Sequence, residues 1–382
     1  MISNRLSFRR ARTRPVFYLV SAAGVPNFGD EFITRAWLDW LNRRHPEADV
    51  WLDCIEPGRA SHLFAGTHPR LATTNTLWQL AHINSVPDPR ANAERAAQSV
   101  RMLGTPQMDL GLEMLRTVSS VHLLGGGYLN AVWPANLALV GAVAQLARSF
   151  GIRAFATGQG FLPLATEVHG WLRAQLAEFD YVESRDAEGA LSLGVKRGVD
   201  DAFLAFGSPR PIYTSQDVPD VMVLMQGDFL SGGDAVGTEE SLVRFVERFA
   251  PHGRFGIAEG LPPVDARFAD PLRERFPDAE FYPFMRLWQE GLPMRGGQKW
   301  LTSRFHFHLL AAAAGAAGTV VDVRPGYYSV KHRLLLDLGT GWTLADDLGA
   351  AEVPEPARNS GFVGEVAVLE REKDAVARSL YG

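Results

Sequence analysis

Residues 16–41 read VFYLVSAAGVPNFGDEFITRAWLDWL, and this stretch indicates the fold class most clearly. It opens with residues 16–20, a short apolar and aromatic run typical of a buried strand. A glycine-containing turn follows, and from Phe32 to Leu41 the apolar residues recur at helical spacing. A strand that passes through a tight turn into a helix indicates a parallel sheet covered by helices.

The same alternation of strand and helix continues along the chain. A turn-rich stretch at residues 207–219 interrupts it, and the alternation then starts again. The sequence therefore predicts an α/β protein with two Rossmann-like domains that face each other across a cleft, where ligands usually bind. The predicted strands are residues 16–20, 50–55, 120–124, 152–157, 181–184, 221–226, 253–258 and 300–303, and the helices of the second unit are 239–249 and 264–275.

The length of 382 residues is too great for one ordinary core and suggests two domains. We expect residues 363–380 to form a helix that packs back on the first domain. The predicted division is a basic tail at 1–14, a first domain at 15–207, a linker at 208–219, a second domain at 220–345 and a C-terminal segment at 346–382.

Composition excludes several classes of protein. Hydrophobic residues make up 46% and charged residues 21%, as in globular enzymes. The net charge of −5 argues against a general nucleic-acid binder. The single cysteine, Cys54, excludes an internal disulfide and fits a reducing cytoplasm. No HExxH, GxxxxGK or GxSxG pattern occurs, which argues against metalloproteases, P-loop NTPases and simple hydrolases.

The N-terminus resembles a signal peptide, because five arginines between Arg5 and Arg14 precede the apolar run. We favour a basic tail followed by the first buried strand, since cleavage would detach the motif that comes next. No stretch reaches the ~20 apolar residues needed to span a bilayer. We expect a cytoplasmic protein whose tail makes at most weak contact with the inner membrane face.

A cation and an imidazole stand two residues apart in Ser303-Arg304-Phe305-His306-Phe307-His308, before an apolar stretch. Arginine grips phosphate or carboxylate through paired hydrogen bonds. Histidine can give and take a proton near neutrality. The segment alone is ambiguous, because a strand end with one satisfied core histidine is at least as common.

Two glycine-rich turns each follow a predicted strand. The first, residues 24–31, precedes a helix whose N-terminus offers unpaired N–H groups. Asp30 in this turn has a simpler interpretation as an N-cap. The second, residues 124–128, contains three consecutive glycines that let a ligand approach the backbone.

The order of these motifs resembles that of the polysaccharide pyruvyl transferase family over about residues 15–340. Two departures are Phe305 and Phe307, where the family more often has leucine and a small residue, and residues 59–116 match nothing in the pattern. The motifs are Gly-x-x-Asn-x-Gly-Asp-Glu at 24–31, Gly125-Gly126-Gly127, Thr157-Gly158-Gln159-Gly160, Ser184-Arg185-Asp186, Ser303-Arg304-Phe305-His306 and Tyr328-Ser329-Val330-Lys331.

The resemblance implies a glycosyltransferase-B-like pair of domains. It also implies transfer of a pyruvyl group from phosphoenolpyruvate onto two hydroxyls of a sugar, with a cyclic ketal and phosphate as products. The acceptor would be a sugar of an oligosaccharide, a polysaccharide or a lipid-linked glycan. We expect no metal and no cofactor, because phosphoenolpyruvate is itself the donor substrate.

Site residues follow from the matching positions. Arg185, Arg304 and Lys331 would bind the donor, and His306 would protonate its methylene carbon. A base should assist the sugar hydroxyls, and Asp30 or Glu31 is the candidate. The residues predicted for the loops beside the acceptor are Asn27, Gly29, Glu31, Gly126 and Gly127.

Two rival functions stay open. A nucleotide-sugar glycosyltransferase would keep the fold and change the donor, and a non-catalytic relative would bind glycan without turnover. We expect His308 to be structural. Tryptophans that would stack on sugar rings are Trp78, Trp133, Trp288 and Trp300, although most of the 9 tryptophans should lie in the core.

Overall fold

A computed structural model describes residues 14–104, 106–228, 233–251, 254–323, 328–345 and 353–382. Of the predicted basic tail only Arg14 falls inside these ranges. Two parallel sheets form the framework, and this confirms the predicted α/β class.

The first sheet has seven parallel strands, which are β1 (Val16–Ser21), β2 (Asp49–Cys54), β3 (Leu71–Thr74), β4 (Ser120–Leu123), β5 (Arg153–Gln159), β6 (Tyr181–Ser184) and β7 (Lys196–Arg197). Their order is β3-β2-β1-β4-β5-β6-β7. All six residues of β1 are buried, as expected for a strand covered by helices on both faces. The order reverses between β1 and β4, and ligands bind at such a point in open α/β sheets.

The second sheet has six parallel strands, which are β8 (Val221–Leu224), β9 (Phe255–Ala258), β10 (Glu280–Tyr282), β11 (Lys299–Thr302), β12 (Ala317–Val321) and β13 (Thr343–Ala345). Their order is β10-β9-β8-β11-β12-β13, so the direction reverses between β8 and β11. Each sheet therefore presents one such reversal.

Helices lie between the strands. Those of the first unit are α1 (Phe28–Arg44), α2 (Pro57–Leu63), α3 (Thr76–His82), α4 (Pro89–Met102), α5 (Asp109–Leu115), α6 (Leu137–Phe150), α7 (Thr166–Leu176) and α8 (Ala187–Leu193). Those that follow are α9 (Gly233–Phe249), α10 (Ala266–Arg275), α11 (Phe284–Glu290), α12 (Phe305–Ala313), α13 (Tyr328–Asp337) and α14 (Phe362–Tyr381).

Every predicted strand and helix named above is present. Strand ends agree within two residues, and α9 begins at Gly233 where the sequence predicted residue 239. Residue 253 of the predicted strand 253–258 lies outside the described residues. The segment at 59–116, which the sequence left unassigned, contains β3 and most of α2 to α5. The last helix, α14, packs on the first sheet. The centres of the Tyr381 and Phe17 rings are 4.8 Å apart, and the Tyr381 hydroxyl lies 2.8 Å from His122 Nδ1. The domain boundaries themselves stay a prediction.

The two units are joined at the start of α1. The Phe28 N–H donates to the Gly260 carbonyl at 2.8 Å, and its ring packs on Phe284 and Phe307 of the second unit. This contact holds the start of α1 against the second unit. Within the described ranges no helix is both long enough and apolar enough to cross a membrane.

Candidate active site

A cleft of about 620 Å³ lies between the two units, where the carboxyl ends of their strands face each other. Helix α1 and the loops after β4 and β6 form one side, and α12 and α13 reach in from the other. Eight of the predicted site residues line it, namely Asn27, Gly29, Asp30, Gly127, Arg185, Arg304, His306 and Lys331.

Arg185 is held from both units. It follows β6 and directly precedes Asp186, whose side chain caps α8. Its guanidinium forms an ion pair with Asp200 and lies 4.6 Å from the centre of the Phe305 ring. Both members of the ion pair are buried. These contacts fix the guanidinium plane before any ligand arrives.

Asp200 connects Arg185 to His306. Its Oδ1 accepts the Ala202 N–H at 2.8 Å and lies 3.4 Å from His306 Nε2, which is an ion-pair distance without hydrogen-bond alignment. Burial would raise the pKa of Asp200, but the charges of His306 and Arg185 outweigh it and hold that pKa well below its usual range. Asp200 is therefore ionised at neutral pH and places a negative charge beside the imidazole.

Gly29 makes room for the His306 ring. A methyl group on Gly29 would lie 1.9 Å from His306 Nδ1, so any side chain there would displace the imidazole. The His306 side chain stays partly accessible, at 13%. The motif glycine and the motif histidine, 277 positions apart, thus pack directly on each other.

Asp30 lies in the first turn of α1. The N-cap of this helix is Asn27, so the alternative interpretation of Asp30 as the N-cap is wrong. The Asn27 amide donates to Asp30 Oδ2 at 2.7 Å. Burial raises the pKa of Asp30, although the charges of His306, Lys331 and Arg185 oppose it. A carboxyl group with a raised pKa beside three cationic groups is suited to accept a proton.

Arg304 is anchored on the second unit. Its Nη2 forms an ion pair with the buried Asp265 and lies 3.3 Å from Asp228 Oδ1. Asp265 also accepts the N–H groups of Gly260 and Leu261, at 2.9 and 2.8 Å. Burial raises the pKa of Asp265, and Arg304 partly offsets this.

Lys331 and Arg185 approach the same glycine. A methyl group on Gly127 would lie 2.8 Å from Lys331 Nζ and 3.5 Å from Arg185 Nη2. The glycine therefore leaves a space at the mouth of the β4 loop that two cations from different units share. Such a space suits a doubly charged anion.

Two predicted loop residues are not among the described residues that line the cleft. Glu31 is fully buried, and its Oε1 accepts the Gly24 N–H at 2.8 Å. Burial raises the pKa of Glu31 to about 9. The Gly126 carbonyl accepts the Gly160 N–H at 2.8 Å, which ties the loops after β4 and β5 together.

The remaining candidates divide between core and cleft. His308 stacks on Trp342 at 4.5 Å, and its Nε2 lies 3.0 Å from Thr340 Oγ1. Burial lowers its pKa well below the usual value, so it is a neutral core histidine. Trp78 and Trp133 line the cleft, whereas Trp300 is buried and Trp288 stacks on Phe284.

Three aspartates of this site were missed by the sequence reasoning, namely Asp200, Asp228 and Asp265. A signal existed for two of them, because Asp200 follows β7 and Asp228 follows β8, at the carboxyl ends of parallel strands. Asp265 precedes α10 and carries no such signal. Among the described residues, no group of three or more His, Cys, Asp or Glu is arranged to hold a metal ion.

Solved structures share the fold at low sequence identity. A putative UDP-N-acetylglucosamine 2-epimerase from Listeria monocytogenes superposes with a TM-score of 0.53 at 10% identity, covering 97% of this chain and 92% of that one. A UDP-GlcNAc 2-epimerase from Methanocaldococcus jannaschii gives 0.52 at 10% identity, covering 97% and 100%. A UDP-glucose:anthocyanidin 3-O-glucosyltransferase also gives 0.52 at 10% identity, covering 97% and 95%. These likenesses establish a glycosyltransferase-B-like fold.

The sequence comparison is more specific. No curated protein is significantly similar to the chain. The family model described as polysaccharide pyruvyl transferase matches residues 27–231, which is more than half of the chain. The matched range begins at Asn27 and includes most of the first glycine loop, the whole of the second and Arg185. The chain therefore belongs to the polysaccharide pyruvyl transferase family.

Proposed function

We propose that the protein transfers the pyruvyl group of phosphoenolpyruvate onto two hydroxyls of a sugar in a glycan or glycolipid. The products would be a cyclic pyruvate ketal and phosphate. The observation that carries this proposal is the convergence of Arg185, Arg304 and Lys331 with His306 in one cleft.

The donor carries a carboxylate and a phosphate on neighbouring atoms, so it needs several cations in one place. Arg185 and Lys331 share the space beside Gly127, and Arg304 faces them from the second unit. Ion pairs with Asp200 and Asp265 hold the two guanidinium groups in place. This lowers the ordering cost of binding, and Lys331 adds a compact point charge.

His306 is suited to be the acid. The methylene carbon of the enol must be protonated before C2 can accept a nucleophile, and the ionised Asp200 beside Nε2 stabilises the imidazolium that gives the proton. A first sugar hydroxyl then bonds to C2 and forms a tetrahedral intermediate that still carries the phosphate.

Asp30 is suited to be the base. It would take the proton of the attacking hydroxyl, and its raised pKa favours that role. The second hydroxyl then bonds to C2 as the C–O bond to phosphate breaks. Of the two hydroxyl protons, one replaces the proton that His306 gave to the new methyl group. The other leaves on the released phosphate.

Thermal unfolding with candidate donors tests the proposal. We expect phosphoenolpyruvate to raise the unfolding temperature by several degrees, and UDP-glucose or UDP-GlcNAc to leave it unchanged. Arg304→Ala should abolish the rise. Arg295→Ala is the control, because Arg295 belongs to the same unit and pairs with Asp220 at an exposed site. Stabilisation by a UDP-sugar and none by phosphoenolpyruvate would favour the nucleotide-sugar alternative.

A further inference from the structure

The cleft has two chemically different parts. One holds the cations and Asp30. In the other, α3 and the end of the loop between β4 and α6 contribute a wall of aromatic and amide side chains. We call Asn75, Trp78, Gln79, His82, Trp133 and Asn136 the aromatic wall. It contains no carboxylate, lysine or arginine, and its one titratable side chain is that of His82.

Trp133 is the most exposed member of this wall, at 47%. Its loop is fixed by hydrogen bonds, since Asn130 accepts the Trp133 N–H at 3.1 Å and the Val132 N–H at 3.0 Å. The Asn130 amide also donates to the Gly127 carbonyl at 2.9 Å. These hydrogen bonds order the backbone that carries the indole, and an exposed aromatic ring at a cleft is available to stack on a ligand.

Trp78 provides an unused donor. Its side chain is buried in the wall, and its Nε1 has no hydrogen-bond acceptor among the described residues. Asp53 accepts the Leu77 and Trp78 backbone N–H groups and so holds α3 in place. The His82 ring stacks on Trp78, and His82 Nε2 lies 2.9 Å from Asn136 Oδ1. An indole N–H only donates, so it requires a ligand with an acceptor oxygen.

Gln226 provides an unused amide across the cleft. It lines the cleft from the end of β8, is fully buried, and neither its Oε1 nor its Nε2 has a partner within the described part of the chain. A hydroxyl group both donates and accepts, so it matches such an amide. An ionised phosphate or carboxylate only accepts and would leave Oε1 unsatisfied.

We propose that the aromatic wall binds an uncharged pyranose ring, with Trp133 stacked on its C–H face and with Trp78 and Gln226 hydrogen-bonded to its hydroxyls. The identification of this ring as the acceptor rests on the proposed function. A uronic acid should bind this wall less well than a neutral sugar, because no lysine or arginine of the wall would pair with its carboxylate.

Saturation-transfer NMR on the full chain tests the site directly. The probes are methyl β-D-glucopyranoside, methyl β-D-galactopyranoside and the charged methyl β-D-glucuronide. We expect transfer to the C–H protons of at least one neutral glycoside, and a loss of about tenfold in affinity in Trp133→Ala. Trp133→Phe should recover most of it. Met285→Ala is the control, because Met285 is also 47% exposed but does not line the cleft.

Three results would overturn the inference: no neutral glycoside binds, binding is equal in Trp133→Ala, or the glucuronide binds as well as the neutral probes. The two proposals fail separately. If phosphoenolpyruvate did not stabilise the wild type, the donor assignment would fall, while Trp133-dependent glycoside binding would still establish the sugar site.

Discussion

Two pairs of adjacent acids, Asp30-Glu31 and Asp200-Asp201, each divide between the cleft and the core. In both pairs the first residue has cleft groups around it and the second bonds to the framework. Asp200 and Asp201 are equally buried, with no exposed surface, so burial alone does not separate them. What separates them is the set of groups that each one contacts.

Asp201 bonds to framework groups and to the backbone of the glycine loop after β4, where its Oδ2 accepts the Gly125 N–H at 2.8 Å. Its Oδ2 accepts from Trp37 Nε1 at 2.7 Å and from the Thr157 hydroxyl at 2.6 Å. Its Oδ1 accepts from Lys373 Nζ at 2.9 Å, and Lys373 also pairs with the buried Glu183. Asp200 instead contacts Arg185 and His306, both of which line the cleft. The comparison therefore assigns stability to the second acid and chemistry to the first.

Removing the partner of Asp201 should give the largest effect. Lys373→Met would leave Asp201 and Glu183 buried without their cation, so we expect the free energy of unfolding to fall by about 3–5 kcal/mol. Urea unfolding followed by circular dichroism measures this. Arg378→Met is the control, because Arg378 is on the same helix in an exposed pair and should cost under about 1 kcal/mol. A cost as small as the control's in Lys373→Met would contradict a structural role for Asp201.

The role of the cleft residues can also be tested by displacing His306 while every acidic side chain is left unchanged. Gly29→Ala places a methyl group against His306 Nδ1, and a displacement of about 1 Å at a reacting group costs roughly 100-fold in rate. We expect kcat for phosphate release to fall by about that factor. Stabilisation by phosphoenolpyruvate should persist, because the cations remain.

The matched control for Gly29→Ala is Gly170→Ala in α7, where the added methyl would meet no atom within 4 Å. That variant should keep full activity, since alanine also has the higher helix propensity. Turnover of Gly29→Ala within a few-fold of the wild type would show that the ring position does not matter for the reaction.

Neutralising the cleft acid should have an intermediate effect. Asp200→Asn keeps the size of the side chain and an oxygen for the Ala202 N–H, but it removes the charge beside His306. Because the pKa of Asp200 is held well below its usual range, wild-type Asp200 is negative throughout the working pH range. We expect kcat to fall about 10- to 100-fold, and the pH above which activity declines to move lower.

Asp228→Asn separates this charge effect from a general loss of negative charge in the cleft. Asp228 faces Arg304, at 3.3 Å. We expect it to change the KM for phosphoenolpyruvate and to leave the shape of the pH profile intact. Identical pH profiles for Asp200→Asn and the wild type would refute the role of Asp200 as a positioning residue for His306.

The sequence predicts the framework and the approximate site for the same physical reason. Buried parallel strands are continuous apolar runs, and polar residues just after them collect at one edge, as Arg185 does after β6 and Arg304 after β11. Such apolar runs do not show which acid of a pair faces the cleft and which faces the core. For Asp200 and Asp201 this depends on the 3-10 turn that begins at Asp201, which has no sequence period to read.

The aromatic wall was equally hard to predict. Its helix α3 has seven residues and comes from the unassigned segment, where short elements give little periodicity. Trp133 is one of 9 tryptophans, and composition does not distinguish an exposed indole from a core one. Only the packing of the surrounding loop shows that its ring faces the cleft.

The last prediction concerns Glu31, the core-facing member of the first pair. Burial raises the pKa of Glu31 from about 4.5 to about 9, so the folded protein keeps this proton where the unfolded chain has lost it. The folded state then binds more protons, and stability must fall as pH rises between about 4.5 and 9, by up to ~1.4 kcal/mol per pH unit. Glu31→Gln keeps the acceptor for the Gly24 N–H and removes the titration.

We therefore expect the stability of Glu31→Gln, measured by urea unfolding at several pH values, to exceed that of the wild type increasingly from pH 6 to pH 8. Glu56→Gln, an exposed change beside the same loop, should follow the wild-type curve. Parallel curves for Glu31→Gln and the wild type would mean that Glu31 ionises in the folded state. Glu31 would then be a second negative charge next to Asp30, and the division between cleft acid and core acid would hold only for Asp200 and Asp201.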